Sequence, residues 1–272
     1  MSDKSGASAP FTCLRYDISD HIATITLDRP ERRNALNRTA YDELERAFRQ
    51  ASQNVDVRCV IVTGSDPTFC SGEDVKEMMT GSQKQASVAR LTRVRPEPTP
   101  AAVAALSCEV PVIAAVNGAA VGWGMELTLF ADIRIASEAA KFGEIFIKRG
   151  LISDVGGLWR LPAIVGASKA AELLFTGDVI DARQALQIGL VSDVVPHDQL
   201  MVRAREVAER IAANAPLALR YMKEGLRRTQ YGNLNEIGGW VSSTLGTLFQ
   251  TEDHSEGVQS FLEKRAPQFK GR

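Results

Sequence analysis

The sequence predicts an α/β body followed by an all-helical tail, and three observations carry the prediction. Apolar runs of strand length alternate with helical patterns up to about residue 150. Glycine turns stand where two of those runs give way to helices. Beyond about residue 150 strands nearly vanish and long amphipathic helices take over.

The elements follow in order. Residues 1–10 are small and polar and predict disorder. Leu14–Asp17 and Ile22–Leu27 read as paired strands around a turn at Ser19-Asp20, and Arg29-Pro30 ends the second. Ala40, Leu44, Ala47, Phe48 and Ala51 define one face of a helix over Thr39–Ser52. Residues 58–63 are a buried strand closed by Gly64. Lys76–Met79 continues a helix that Thr80-Gly81-Ser82-Gln83 breaks. The prolines of Arg95–Pro100 stiffen the approach to an alanine-rich helix at 101–107. A strand at 111–116, a short helix at 123–130 and a strand at Ile133–Ala136 complete the alternation. In the second half, Gly156-Gly157 opens a helix, with further helices at Ser168–Phe175 and Asp181–Ile188 and a strand at Val191–Val195. Long helices are expected at about 198–213, 216–230, 234–250 and 253–265. The change of texture suggests one internal boundary, between an α/β core at 11–197 and a helical region at 198–272.

Composition narrows the function classes. The chain has 272 residues, 44% hydrophobic and 24% charged, which is globular chemistry with enough length for one large domain or two modest ones. A formal net charge of -1 and a pI near 6.4 give no footprint for nucleic acid or an anionic membrane. No apolar run approaches the roughly 20 residues of a membrane span, and Met1–Pro10, which has no apolar core, is not expected to act as a signal peptide. Cys13, Cys59, Cys70 and Cys108 form no CxxC pair and no metal spacing, so a reducing compartment, the cytoplasm, is expected. The three histidines are scattered, and no metal or redox cofactor is signalled.

Chemistry concentrates in the two glycine turns. Phe69-Cys-Ser-Gly-Glu-Asp74 follows the strand Cys59–Val62, and Asn117-Gly-Ala-Ala-Val-Gly-Trp-Gly-Met-Glu126 follows Val112–Val116. Such turns point backbone N–H groups outward, and two side by side hold an oxyanion between them. The amides of Glu73 and Trp123 are the candidate donors, and Glu126, three residues after Trp123, is a candidate acid/base on the same helical face.

These segments, in this order, resemble the crotonase (enoyl-CoA hydratase/isomerase) superfamily. The likeness extends to Arg33-Asn-Ala-Leu-Asn37, to Phe142–Leu161, to Phe175-Thr-Gly177 with Ala182–Gly189 and Val191, and to Glu256–Arg265, covering roughly 14–270. It implies a spiral of repeated ββα units with a C-terminal helical region, assembled as a homotrimer or a dimer of trimers. The implied substrate is an acyl thioester of coenzyme A, with no separate cofactor. The implied coenzyme contacts are Asn34, Ala35, Leu36, Ser71, Gly72, Asp74 and Gly122, with Phe261 and Lys264 reaching a neighbouring subunit's pocket.

The chain departs from the family pattern in three places. The second glutamate of the hydratases falls at Phe146 here, which becomes an acyl-pocket wall, while Glu144 stands two positions early and is expected to face another way. Trp123 puts bulk where glycine is frequent, a further change to that pocket. Asp154 stands where many hydratases have glycine and resembles the catalytic aspartate of dienoyl-CoA isomerases, although a plain helix cap explains it equally. Hydration of a 2-enoyl-CoA is the first reading. Double-bond isomerisation by Glu126 or Asp154, hydrolysis or decarboxylation of a specialised acyl-CoA, and a coenzyme-A-binding scaffold without turnover are the alternatives.

Overall fold

The computed structural model describes residues 10–78, 98–229 and 233–272. The breaker at 80–83, the first half of the proline segment (95–97) and nearly all of the N-terminal stretch lie outside those residues.

Strands β1 (Leu14–Ser19) and β2 (Ile22–Leu27) form the antiparallel hairpin expected of them. Helix α1 (Arg38–Gln53) follows, its Asn37 cap accepting from the Ala40 N–H, and all five predicted face residues are buried. Strand β3 (Cys59–Gly64) is buried along its whole length. Then come β4 (Thr68–Cys70), α2 (Val75–Met78), α3 (Pro100–Leu106), β5 (Val112–Val116), β6 (Ala119–Val121) and α4 (Trp123–Phe130). β7 (Ile133–Ser137) and β8 (Lys141–Gly143) lead through a 3-10 turn at Ile145–Arg149 and a π-helical turn at Gly156–Arg160 into α5 (Leu161–Val165). α6 (Ala167–Thr176), β9 (Ile180–Asp181), α7 (Ala182–Gln187) and β10 (Asp193–Val195) complete the body. The tail is α8 (Leu200–Ala212), α9 (Pro216–Arg228), α10 (Leu234–Leu248) and α11 (Glu252–Glu263).

Two sheets organise the body. The larger has the order β1-β2-β3-β5-β7-β10, parallel from β2 onward. The smaller has the order β4-β6-β8-β9, with β4, β6 and β8 parallel. Three long strands are each followed by a short one in the second sheet: β3 by β4, β5 by β6, β7 by β8. The chain climbs by one rung per repeat, which is the expected spiral of ββα units. The sequence reading contained none of β4, β6, β8 and β9, because two or three residues carry no readable alternation.

The main core lies between the sheets and α1, α3, α4 and α6, around Phe48, Phe69, Phe142 and Leu161. A second core joins Ile22, Ile61, Ile113 and Ile135 of the large sheet to Leu200, Ala204, Ala208 and Ala212 of α8. The proposed boundary at residue 198 therefore precedes a helix that shares a core with the sheet.

Candidate active site

The site stands at the carboxyl ends of three neighbouring strands. β4 ends at Cys70, β6 at Val121 and β8 at Gly143, and they are hydrogen-bonded in the order β4-β6-β8. The residues that follow are Ser71-Gly72-Glu73, Gly122-Trp123 and Glu144. Strand pairing thus brings together three points spread over some seventy positions of sequence.

Glycine permits the close approach. Gly72 (φ +90) and Gly122 (φ +54) both adopt a left-handed conformation that other residues resist. A β-carbon on Gly72 would sit 3.4 Å from the Trp123 nitrogen, so the two turns lie against each other. A β-carbon on Gly124 would land on the Cys70 carbonyl oxygen. Leu36 fixes the first turn: its N–H donates to Gly72 O at 2.8 Å and its carbonyl accepts from Asp74 N–H at 2.9 Å. In that bridge Glu73 directs its own N–H away from Leu36. Trp123 is the first residue of α4, where an N–H has no partner inside its helix.

The predicted coenzyme contacts gather beside this turn. Ser71 N–H donates to Arg33 O at 3.1 Å, and the Arg29 guanidinium reaches Ala35 O, Asp74 at 3.5 Å and Glu77 at 3.0 Å. Asn34 is buried in a left-handed conformation, and its side-chain amide donates to Ser65 O and Thr68 O. Its oxygen accepts from Arg29 N–H, so this side chain serves the loop's shape. Phe261 and Lys264 are not brought to the site within the chain. Phe261 is 81% exposed and lines a groove of about 550 Å³ formed only by residues of the tail, and Lys264 ends α11 nearby.

Glu126 is fully buried on α4. Its Oε1 accepts from Asp154 N–H at 3.0 Å and Gly157 N–H at 3.1 Å. Glu144 corrects the sequence reading. It does not face away but is buried, with Oε2 accepting from the Ser153 hydroxyl at 3.0 Å. A β-carbon on Gly157 would be 3.1 Å from Glu144 Cδ, and one on Gly156 would strike Glu126 Oε2, so both carboxyls press on the same glycine pair. Glu126 Oε2 and Glu144 Oε1 are both buried without a hydrogen-bond partner.

Burial pushes the Glu126 carboxyl well above the ordinary carboxylate range, and Glu144 and Asp154 push the same way against the Gly157 and Gly156 amides. Burial raises Glu144 too; the Ser153 hydroxyl and the neighbouring Glu126 carboxyl oppose the rise, and the Asp154 charge adds to it. Both carboxyls therefore hold protons more tightly than an exposed carboxylate does. Glu144 stands two positions short of the place that the family pattern gives the second glutamate, and that offset is why the sequence reading turned it away. The signal that finds it is its place directly after a short strand parallel to β6.

Phe146 lies half-buried in the 3-10 turn, two residues past Glu144. Asp154 does not act as an ordinary helix cap. Its Oδ1 accepts from the next residue's N–H at 2.8 Å, and its Oδ2 from Thr99 Oγ1 at 3.2 Å and the Trp123 indole at 3.3 Å. The Trp123 ring is buried, edge-on to Tyr41 at 4.8 Å and to Phe130 at 5.6 Å. The Tyr41 hydroxyl donates to Glu73 Oε1 at 3.4 Å.

The chain matches the enoyl-CoA hydratase/isomerase family over residues 17–272. A Mycobacterium bovis protein named "probable enoyl-CoA hydratase" is 39% identical over 266 residues, 95% of this chain and 98% of that one. The 2,3-dehydroadipyl-CoA hydratase of Escherichia coli is 38% identical over 251 residues, 92% of this chain and 96% of its own. The crystal structure of an enoyl-CoA hydratase from Bacillus anthracis superposes with a TM-score of 0.88 at 34% identity, over 96% of this chain and 100% of that one. Spiral topology, paired glycine turns and these likenesses agree: the chain belongs to the enoyl-CoA hydratase/isomerase family.

Proposed function

We propose that the protein adds water across the double bond of a 2-enoyl thioester of coenzyme A. One observation supports this reading over double-bond migration: two buried carboxyl groups, Glu126 and Glu144, lie against the same glycine pair, Gly156-Gly157, close to the paired glycine turns. Migration of a double bond needs one carboxyl group to take and return one proton. Hydration needs a group that accepts a proton from water and a group that gives one to carbon.

The thioester oxygen accepts from the amides of Glu73 and Trp123, which stabilise the enolate that forms. Donors of this kind are worth about 3–4 kcal/mol each when removed elsewhere. Glu144 takes a proton from water as its oxygen bonds to C3. The C2=C3 pair moves into the enolate, and its collapse takes the Glu126 proton at C2. Exchange between the two carboxyls resets the pair. The acyl chain lies toward Phe146 and Trp123. The coenzyme follows Asn34–Leu36 and Ser71–Asp74 with Gly122, the loop that Arg29 pins in place.

Assembly as a homotrimer or a dimer of trimers fits the apolar tail, where Leu245, Phe249, Phe261 and Leu262 are exposed. In such an assembly Phe261 and Lys264 serve a neighbour's coenzyme. Four buried free cysteines suit a reducing compartment, the cytoplasm. Among the described residues no helix is long and apolar enough to cross a membrane.

Loss of the conjugated-enone absorbance of crotonyl-CoA tests the reaction. Glu126→Gln and Glu144→Gln should each lower kcat at least about 100-fold with the fold intact. If Glu144→Gln stays within about tenfold while a 3-enoyl-CoA gains absorbance, the chain is an isomerase using one carboxyl.

A further inference from the structure

Asp154 is half-buried beside Glu126, and the arrangement of its bonds gives it a role other than proton transfer. Both carboxylate oxygens are occupied. Oδ1 holds the Val155 N–H, and Oδ2 holds the Thr99 hydroxyl and the Trp123 indole. Its main-chain N–H meanwhile donates to Glu126 Oε1. Residue 154 thus receives bonds through its side chain and passes one on through its backbone.

The Trp123 end of this linkage is rigid. Tyr41 and Phe130 hold the indole edge-on from two sides, leaving it 4% exposed. A buried indole N–H needs an acceptor, and Asp154 is the one it has. The Glu126 end tolerates little movement. Asp154 and Gly157 supply both bonds to Oε1 from the ends of one short segment that enters the π-helical turn. Gly156 and Gly157 pack so closely on the two glutamates that any shift of the segment moves both carboxyls.

We propose that Asp154 is a positioning residue, locked by the Trp123 indole and the Thr99 hydroxyl, and that this lock seats the segment holding Glu126. Residue 123 then serves the site twice, its amide facing the thioester oxygen and its side chain fixing the acid's support. Trp123 and Asp154 are a matched pair: the bulky ring at the glycine turn is accommodated because an acceptor waits 31 positions later. The inference rests on the hydratase reading of Glu126 and denies Asp154 a part in the proton inventory.

A double-substitution cycle tests it. Trp123→Phe keeps an aromatic ring and the main-chain amide but removes the indole donor, and Asp154→Ala removes the acceptor. Each should lower kcat about tenfold on crotonyl-CoA with KM within about threefold, and the double variant should fall no more than about threefold further. Asp154→Asn, which still offers an oxygen to the indole, should recover most of the activity. A catalytic aspartate predicts the opposite: Asp154→Asn down about 100-fold, and losses that multiply with Trp123→Phe, results that overturn the proposal. If Trp123→Phe does not fold, Thr99→Val takes its place in the cycle with the same criterion of coupling. A readout without turnover separates this inference from the reaction itself. The chain has three tryptophans, so the Trp123 indole proton can be assigned in a nitrogen-15 spectrum by its loss in Trp123→Phe or by selective labelling. In Asp154→Ala that signal should move upfield and exchange faster with solvent. An unmoved signal overturns the lock even if hydration is confirmed, and a moved one sustains it even if the protein fails to hydrate crotonyl-CoA.

Discussion

The strand-rich body and the helical tail dispose of apolar side chains in opposite ways. In the body, every residue of β3 and β5 is buried, and Phe48, Phe69 and Phe142 are sealed between the sheets and helices. In the tail, Leu245 is 47%, Phe249 61%, Leu262 73% and Phe261 81% exposed. Scattered surface apolar residues are ordinary, but four around one groove are not. The first helix of the tail, α8, completes a core with the large sheet, whereas the helices after it leave apolar surface exposed. The proposed chemistry lies in the body.

The sharpest test of that contrast is glycine in each region. Gly124→Ala puts a methyl on the Cys70 carbonyl oxygen, where backbone meets backbone and neither can give. It should cost about 3 kcal/mol or more in chemical denaturation, and a cost under about 1 kcal/mol would show a core looser than described. Next in size, Phe261→Asp with Leu262→Asp should reduce the sedimenting mass to that of a 29.6 kDa monomer while the far-ultraviolet dichroism stays native. An unchanged assembly would mean that the tail's apolar face does not hold copies together.

A smaller effect reports on the buried carboxyls. Folding raises the affinity of Glu126 and Glu144 for protons, chiefly through burial. Below the ordinary carboxylate range folded and unfolded chains are both protonated there, and nothing is lost. As pH rises above it the unfolded chain releases these protons and the folded one retains them, so their contribution turns against folding. Glu126→Gln should therefore gain stability over the parent between pH 5 and 8, by on the order of 2 kcal/mol, in thermal melts across pH. A constant difference would mean that the pair does not hold its proton in the folded state. The smallest effect is Gly246→Ala in α10, where nothing lies within 4 Å of the new carbon. A gain of about 0.5–1 kcal/mol follows from helix propensity, and a loss instead would show that a second copy already covers that position.

How legible all this was depended on element length. Sixteen residues of α1 display their apolar face openly, and the runs of β3 and β5 announce buried strands. The glycine turns were readable because a left-handed backbone restricts residue type. The three-residue strands were not readable, and with them went Glu144, whose position follows from the pairing of β8 with β6. Asp154 was ambiguous for a related reason. Its partners, Thr99 and Trp123, are 55 and 31 positions away, and nothing local to Ser153-Asp154-Val155 indicates them.

The small sheet has a consequence for how this architecture changes over time. Because β4, β6 and β8 each deliver one position to the same edge, a single substitution after one strand alters one participant in the reaction and leaves the other two in place. New chemistry can then arise rung by rung, with the scaffold indifferent to which acid, amide or bulky ring occupies each landing. A glutamate two positions from its expected place can still pack against the same glycine pair as Glu126, since what counts is the edge it joins and not its distance along the chain.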